Sequence, residues 1–136
     1  QQRVLIDDSY NANPDSVRAA IDVLATLPAP RVLVLGDMGE VGDNGPAMHR
    51  EVGAYARERG IEHLLTLGEA TRESAQAFGA SAVMGESPEQ LGERLRALGA
   101  QSVLVKGSRF MRMERIVKDY LKATGVNPEE VVKHAV

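Results

Sequence analysis

Val4-Leu5-Ile6-Asp7-Asp8-Ser9-Tyr10-Asn11-Ala12-Asn13-Pro14 passes from an apolar triplet through a polar loop into a helix start. The triplet is continuous rather than alternating, which suits a strand covered on both faces. Asn13 is a good N-cap residue, and Pro14 suits the first helical position, where the missing N–H costs nothing. Beyond it Val17, Ala20, Ile21, Leu24 and Leu27 recur at helical spacing. Strand, loop and helix in immediate succession form the first half of a βαβ unit.

The same alternation continues along the chain. Four further apolar runs, Val32 to Leu35, Leu64 to Leu67, Ala82 to Met84 and Val103 to Val105, read as buried strands. Between them lie a stripe of Met48, Val52, Tyr55 and Ala56 ended by Gly60, and a helix over Ala70 to Phe78 stopped by Gly79. A further helix is capped by Ser87, opened by Pro88, striped by Leu91, Leu95 and Leu98, and closed by Gly99. A last one carries Met113, Ile116, Val117, Tyr120 and Leu121, and a short helix is expected from Pro128. The fold expected is α/β: a Rossmann-like, three-layer single domain over residues 1–136, with a mainly parallel sheet and helices on both faces.

Composition limits what such a domain can do. The chain has 136 residues, 43% apolar and 26% charged, enough for one core and unlike a disordered chain. No apolar run approaches the roughly 20 residues of a membrane helix. A net charge of −3 with both signs dispersed disfavours non-specific nucleic-acid binding, which needs a surplus of Lys and Arg. The absence of cysteine removes disulfides, thiolate catalysis and Cys-ligated metals, and His49, His63 and His134 lack helical metal-ligand spacing. No charged, signal-like segment precedes the first strand, and the abrupt start reads as a cut in a longer protein.

Ligands of open parallel sheets bind beyond the carboxyl ends of the strands. Three loops there are unusual. The first, from Asp7 to Pro14, sets two carboxylates and two carboxamides before a helix N-terminus. They suit ribose hydroxyls or an adenine edge, yet Asn13 also serves as a plain cap. The second, Gly36-Asp37-Met38-Gly39-Glu40-Val41-Gly42-Asp43-Asn44-Gly45, is glycine-rich but matches neither G-x-G-x-x-G nor G-x-x-x-x-G-K-[ST]. The third, Lys106-Gly107-Ser108-Arg109-Phe110-Met111-Arg112, concentrates positive charge at the end of a buried strand. Lys106 there either meets a ligand or pairs with Asp8 or Asp37, and Arg109 suits a carboxylate gripped by two nitrogens. His49, beside the apolar stripe of its helix, reads as a half-buried packing residue rather than a base. The turns at Gly68-Glu69-Ala70 and Gly85-Glu86-Ser87 read as plain connections.

One alternative is a receiver-like or nucleotide-binding regulatory module. Asp7-Asp8 and Lys106 fit a phosphorelay receiver, but the third strand ends Thr66-Leu67-Gly68 where the phosphoacceptor Asp should stand. Against it, four ordered segments resemble the C-terminal domain of the Mur ligase family. They are Leu5 to Ser16, Val34-Leu35-Gly36-Asp37-Met38-Gly39-Glu40, His49-Arg50-Glu51-Val52-Gly53 and Val105 to Glu114, spread over roughly residues 3 to 122. The wording is that of the branch adding D-alanyl-D-alanine, and the Asp-Asn-Pro-Arg motif of the diaminopimelate-adding branch is absent.

The resemblance implies a bacterial, cytoplasmic, three-domain ligase. The N-terminal UDP-binding and central ATPase domains would lie outside this chain, and ATP and Mg2+ would be held mainly by the central one. It implies ligation of D-alanyl-D-alanine to UDP-N-acetylmuramoyl-tripeptide through an acyl phosphate, with this domain closing over ATP and helping to bind the dipeptide. Alone, the domain is expected to be inactive, with no catalytic residue or metal ligand of its own. By position, Asp8, Tyr10, Asn11 and Asn13 would face the nucleotide; Tyr10 falls near where a relative places a lysine. Lys106, Ser108 and Arg109 would face the dipeptide, and Asp37 and Glu40 would border the closed cleft.

Overall fold

A computed structural model describes residues 4–8, 12–39, 42–107, 113–124 and 132–133. The chain runs β1 (Val4–Asp8), α1 (Pro14–Ala25), β2 (Arg31–Gly36), a 3-10 turn (Gly42–Asn44), α2 (Gly45–Glu58), β3 (His63–Leu67) and α3 (Thr71–Phe78). It continues through β4 (Ala82–Gly85), α4 (Pro88–Leu98), β5 (Ser102–Lys106), α5 (Glu114–Thr124) and β6 (Val132–Lys133). The five expected strands and five main helices are all present. The short helix expected from Pro128 falls partly outside the described residues, and Val132–Lys133 within it pair with β1 as a parallel strand. Two residues are too few for any apolar period to show.

The strands line up as β4-β3-β2-β5-β1-β6, and every described pairing is parallel. Alternation of side chains across the sheet divides the core in two. Ile6, Leu33, Leu35, Leu64 and Leu104 face one side, where Val17, Ile21 and Leu24 of α1, Val52 and Ala56 of α2 and Phe78 of α3 cover them. Leu5, Val32, Val34, Leu65, Val103 and Val105 face the other, covered by Leu91 and Leu95 of α4 and Ile116, Val117 and Tyr120 of α5. Both faces of the central strands are therefore dry, as their continuous apolar runs require, whereas β4, read as a buried strand, lies at the sheet edge with no buried residue and Met84 54% exposed.

Local chemistry sets the helix ends. Asn13 caps α1 in a reciprocal box: its Oδ1 accepts from the Ser16 N–H at 2.9 Å, and Ser16 Oγ accepts from the Asn13 N–H at 3.1 Å. Ser87 Oγ accepts from the Gln90 N–H at 3.1 Å to cap α4, and Gly99 closes that helix in the left-handed region. At the amino edge of the sheet, Arg31 ties three elements. Its guanidinium donates to both carboxylate oxygens of Glu62 and to the carbonyls of Ala25 and Gly60. These bonds hold the carboxyl of Glu62 below its ordinary range.

Candidate functional site

The strand order places β1, β5 and β2 side by side, so the three unusual loops leave from adjacent points on one sheet edge. The connections after β1 and β2 lead to α1 and α2 on one face, while that after β5 leads to α5 on the other. Neighbouring loops that part to opposite faces open the crevice in which doubly wound folds bind ligands.

At the middle of this edge Asp8 and Lys106 are direct register partners. Lys106 Nζ donates to Asp8 Oδ2 at 2.7 Å, with side-chain exposures of 0% and 3%. Both side chains lie on the α1–α2 face, because Ile6 and Leu104 two residues earlier do. Burial pushes the Lys106 ammonium below its ordinary pKa, and the bond to Asp8 works against that shift. Of the two partners that sequence left open for Lys106, Asp8 is the one it meets.

Asp37 is placed by a different demand. Ala70, ahead of α3, has no side chain able to cap it, and Asp37 Oδ1 accepts the Thr71 N–H at 3.0 Å instead. Gly68 makes room for this: it has φ +116, and a β-carbon there would overlap the Asp37 carboxylate. Burial raises the carboxyl of Asp37, and the Thr71 bond pulls it partly back. Asp37 thus spends one oxygen on a helix end while lying at the rim of the edge. Asn13 likewise spends its Oδ1 on α1.

His49, read as half-buried, is fully enclosed, and sequence alone did not show its partners. Nε2 accepts the Met38 N–H at 3.0 Å, and Nδ1 lies 2.7 Å from the Gly45 carbonyl. An acceptor role at Nε2 and a carbonyl at Nδ1 assign the neutral tautomer with its proton on Nδ1. Ser74 Oγ donates to the His49 carbonyl at 2.6 Å, and the Gly39 N–H donates to the Ala12 carbonyl at 3.2 Å. The loop after β2 is thereby tied to α2, and through Ala12 to the loop after β1. In the sequence His49 and Gly53 stand one helical turn apart, and in the structure Ser74 of α3 meets both the His49 carbonyl and Gly53.

Tyr10, Asn11, Glu40, Ser108 and Arg109 lie outside the described residues. Among the described residues no three His, Asp or Glu side chains converge. Asp8 has the acceptor chemistry a ribose hydroxyl needs. The turns after β3 and β4, read as plain connections, border a groove of about 730 Å³ lined by Glu69, Arg72, Met84 and Glu86. It is off the β1-β5-β2 edge. Among the described residues no helix is long and apolar enough to cross a membrane.

The family model for "Mur ligase, glutamate ligase domain" matches residues 1–109. The chain is 39% identical over 122 residues to the UDP-N-acetylmuramoyl-tripeptide–D-alanyl-D-alanine ligase of Escherichia coli, covering 87% of this chain and 27% of that protein. It is 32% identical to the Bacillus subtilis ligase of the same name, over 88% of this chain and 28% of that one. A crystal structure of MurF from Acinetobacter baumannii superposes with a TM-score of 0.79 at 31% identity, over 87% of this chain and 27% of that one. MurF from Thermotoga maritima, solved with ADP, has the same fold with a TM-score of 0.77 at 22% identity, over 90% of this chain and 29% of that one. The chain thus spans about a quarter of the length of these relatives.

Proposed function

The chain belongs to the Mur ligase family, and from that premise we propose that it is the closing domain of an ATP-dependent ligase joining D-alanyl-D-alanine to UDP-N-acetylmuramoyl-tripeptide. The observation that carries the proposal is the adjacency of the loops after β1, β2 and β5. Three of the four segments that resemble the family arrive separately in the sequence and leave the sheet side by side. The remaining length of the relatives leaves room for a UDP-binding domain and a central ATPase domain, which would hold ATP and Mg2+.

In this reading a carboxylate of the tripeptide takes the γ-phosphoryl group of ATP, releasing ADP and forming an acyl phosphate. The dipeptide amine then attacks the carbonyl carbon. The tetrahedral adduct loses inorganic phosphate and a proton, leaving a peptide bond. A carboxylate is a poor electrophile and an acyl phosphate is quickly hydrolysed, so a domain that closes and excludes water serves both steps. Alone, the domain holds only part of a composite site and is inactive, since fewer contacts then meet the same ordering cost.

Asp8, Tyr10, Asn11 and Asn13 form the nucleotide-facing rim, with Asp8 accepting from the ribose. Asp37 and Glu40 border the closed cleft. Lys106, buried against Asp8, anchors the strand end from which Ser108 and Arg109 extend toward the dipeptide. Arg109 grips the dipeptide carboxylate with two parallel N–H bonds. In the full-length protein, Arg109→Ala is expected to raise the dipeptide KM by about tenfold or more, roughly 1.4 kcal/mol of lost contact. The KM for ATP is expected to stay within about twofold, less than roughly 0.4 kcal/mol. Steady-state kinetics with each substrate varied in turn checks this, and an unchanged dipeptide KM removes Arg109 from the role.

A further inference from the structure

We propose that His49 is a positioning residue: a neutral clamp that sets the loop after β2, and with it the rim of the cleft. The inference rests on the ligase reading for its kinetic consequence and on geometry alone for the clamp. The Gly45 carbonyl, 2.7 Å from Nδ1, draws the ring proton to that nitrogen and leaves the Nε2 lone pair for the Met38 N–H at 3.0 Å. The ring is fully enclosed and Met38 is 4% exposed, so water cannot replace that acceptor. The two residues beside Met38 have their own anchors. Asp37 caps α3 at the Thr71 N–H, and Gly39 reaches the Ala12 carbonyl in the loop after β1. Ser74 Oγ, bound to the His49 carbonyl, fixes the helix that carries the ring against α3. Three consecutive loop residues are thus held by three different elements, and His49 supplies the middle hold. With it in place, Asp37 on the rim is presented at one position when the domain closes, and the ordering cost of residues 37–39 on binding the dipeptide is reduced.

Two substitutions divide the clamp into halves. His49→Gln puts an amide oxygen where Nε2 lies and keeps an acceptor for Met38. His49→Asn puts an amide nitrogen where Nδ1 lies and keeps only the bond to Gly45. Both are made in the full-length protein. Hydrogen exchange at the Met38 amide is expected to quicken at least about tenfold in His49→Asn and to stay near wild type in His49→Gln. Nitrogen chemical shifts of the wild-type ring are expected to show the Nδ1–H tautomer. The dipeptide KM is expected to rise about fivefold or more in His49→Asn and under twofold in His49→Gln, with both variants folded by circular dichroism. An Nε2–H tautomer, or equal Met38 exchange in the two variants, overturns the clamp. Equal dipeptide KM values alongside unequal exchange overturn its link to the cleft. A wild-type protein that ligates no D-alanyl-D-alanine overturns the ligase reading instead, and the tautomer and exchange results then still decide the clamp.

Discussion

Two opposite charges taken fully out of water, as at Asp8 and Lys106, make each residue depend on the other. Lys106→Met alone leaves a buried carboxylate without its cation and is expected to cost about 3–5 kcal/mol. Adding Asp8→Asn to it is expected to recover most of that loss. Urea unfolding of the two single variants and the double variant measures the coupling. Asp37 separates structure from charge in another way. Asp37→Asn keeps an oxygen for the Thr71 N–H and sheds the burial penalty, so stability is expected to hold or rise at neutral pH. Asp37→Ala loses the cap and is expected to cost about 1 kcal/mol. The sign follows from the raised carboxyl: its burial cost is present above its folded pKa and fades as pH falls through it. The thermal midpoints of the two variants check the stabilities, and ligation by the stable Asp37→Asn variant shows whether the cleft needs the charge. These residues also mark where sequence reading stops. Asp37 was visible as an acid in an unusual loop, but the helix it caps begins 34 residues later, and no local pattern carries that. Lys106 was readable as a buried cation in need of a partner, while the choice of Asp8 over Asp37 waited on strand register.

Helices and strands were far more legible, because their signals are local. Asn13-Pro14, Ser87-Pro88 and Gly99 mark ends that need only neighbouring residues, and each lies where the pattern put it. β6 lacked any such signal. The contact between α2 and α3 is an element-scale property that a single glycine reveals. A β-carbon at Gly53 would overlap the Ser74 backbone, carbonyl oxygen included, so the two helices touch at their main chains. Gly53→Ala must push them apart or strain both, against ordinary helix propensity, which favours Ala. The variant is expected to lose about 1–3 kcal/mol of stability and to loosen the Ser74–His49 bond. Calorimetry checks the first, and Met38 amide exchange the second. The ion pairs between helices, Arg18–Glu51, Arg50–Glu73 and Arg96–Asp119, are partly exposed to solvent and contribute little by comparison.

For the whole molecule, the amino and carboxyl edges of the sheet have divided duties. Arg31 and Glu62 tie the amino edge. The lowered carboxyl of Glu62 adds stability that is present above the ordinary carboxylate pKa and lost as pH falls through its folded value. Glu62→Gln is therefore expected to flatten the acid side of the stability-against-pH curve, read from urea midpoints between pH 3 and 7, roughly the range in which carboxylates titrate. The carboxyl edge carries the loops of the proposed cleft and is free to be tuned without loosening that anchor. The position of β5 has a consequence for how such a chain emerges from the ribosome. Asp8 and Lys106 are 98 residues apart, and β1 has no described neighbour except β5 and β6. While β2, β3 and β4 can pair as they are made, the first strand must wait, apolar and unpaired, until the fifth slots between it and β2. A nascent chain stalled before Ser102 would present two open sheet edges, the kind of surface that holdase chaperones grip and that otherwise seeds aggregation.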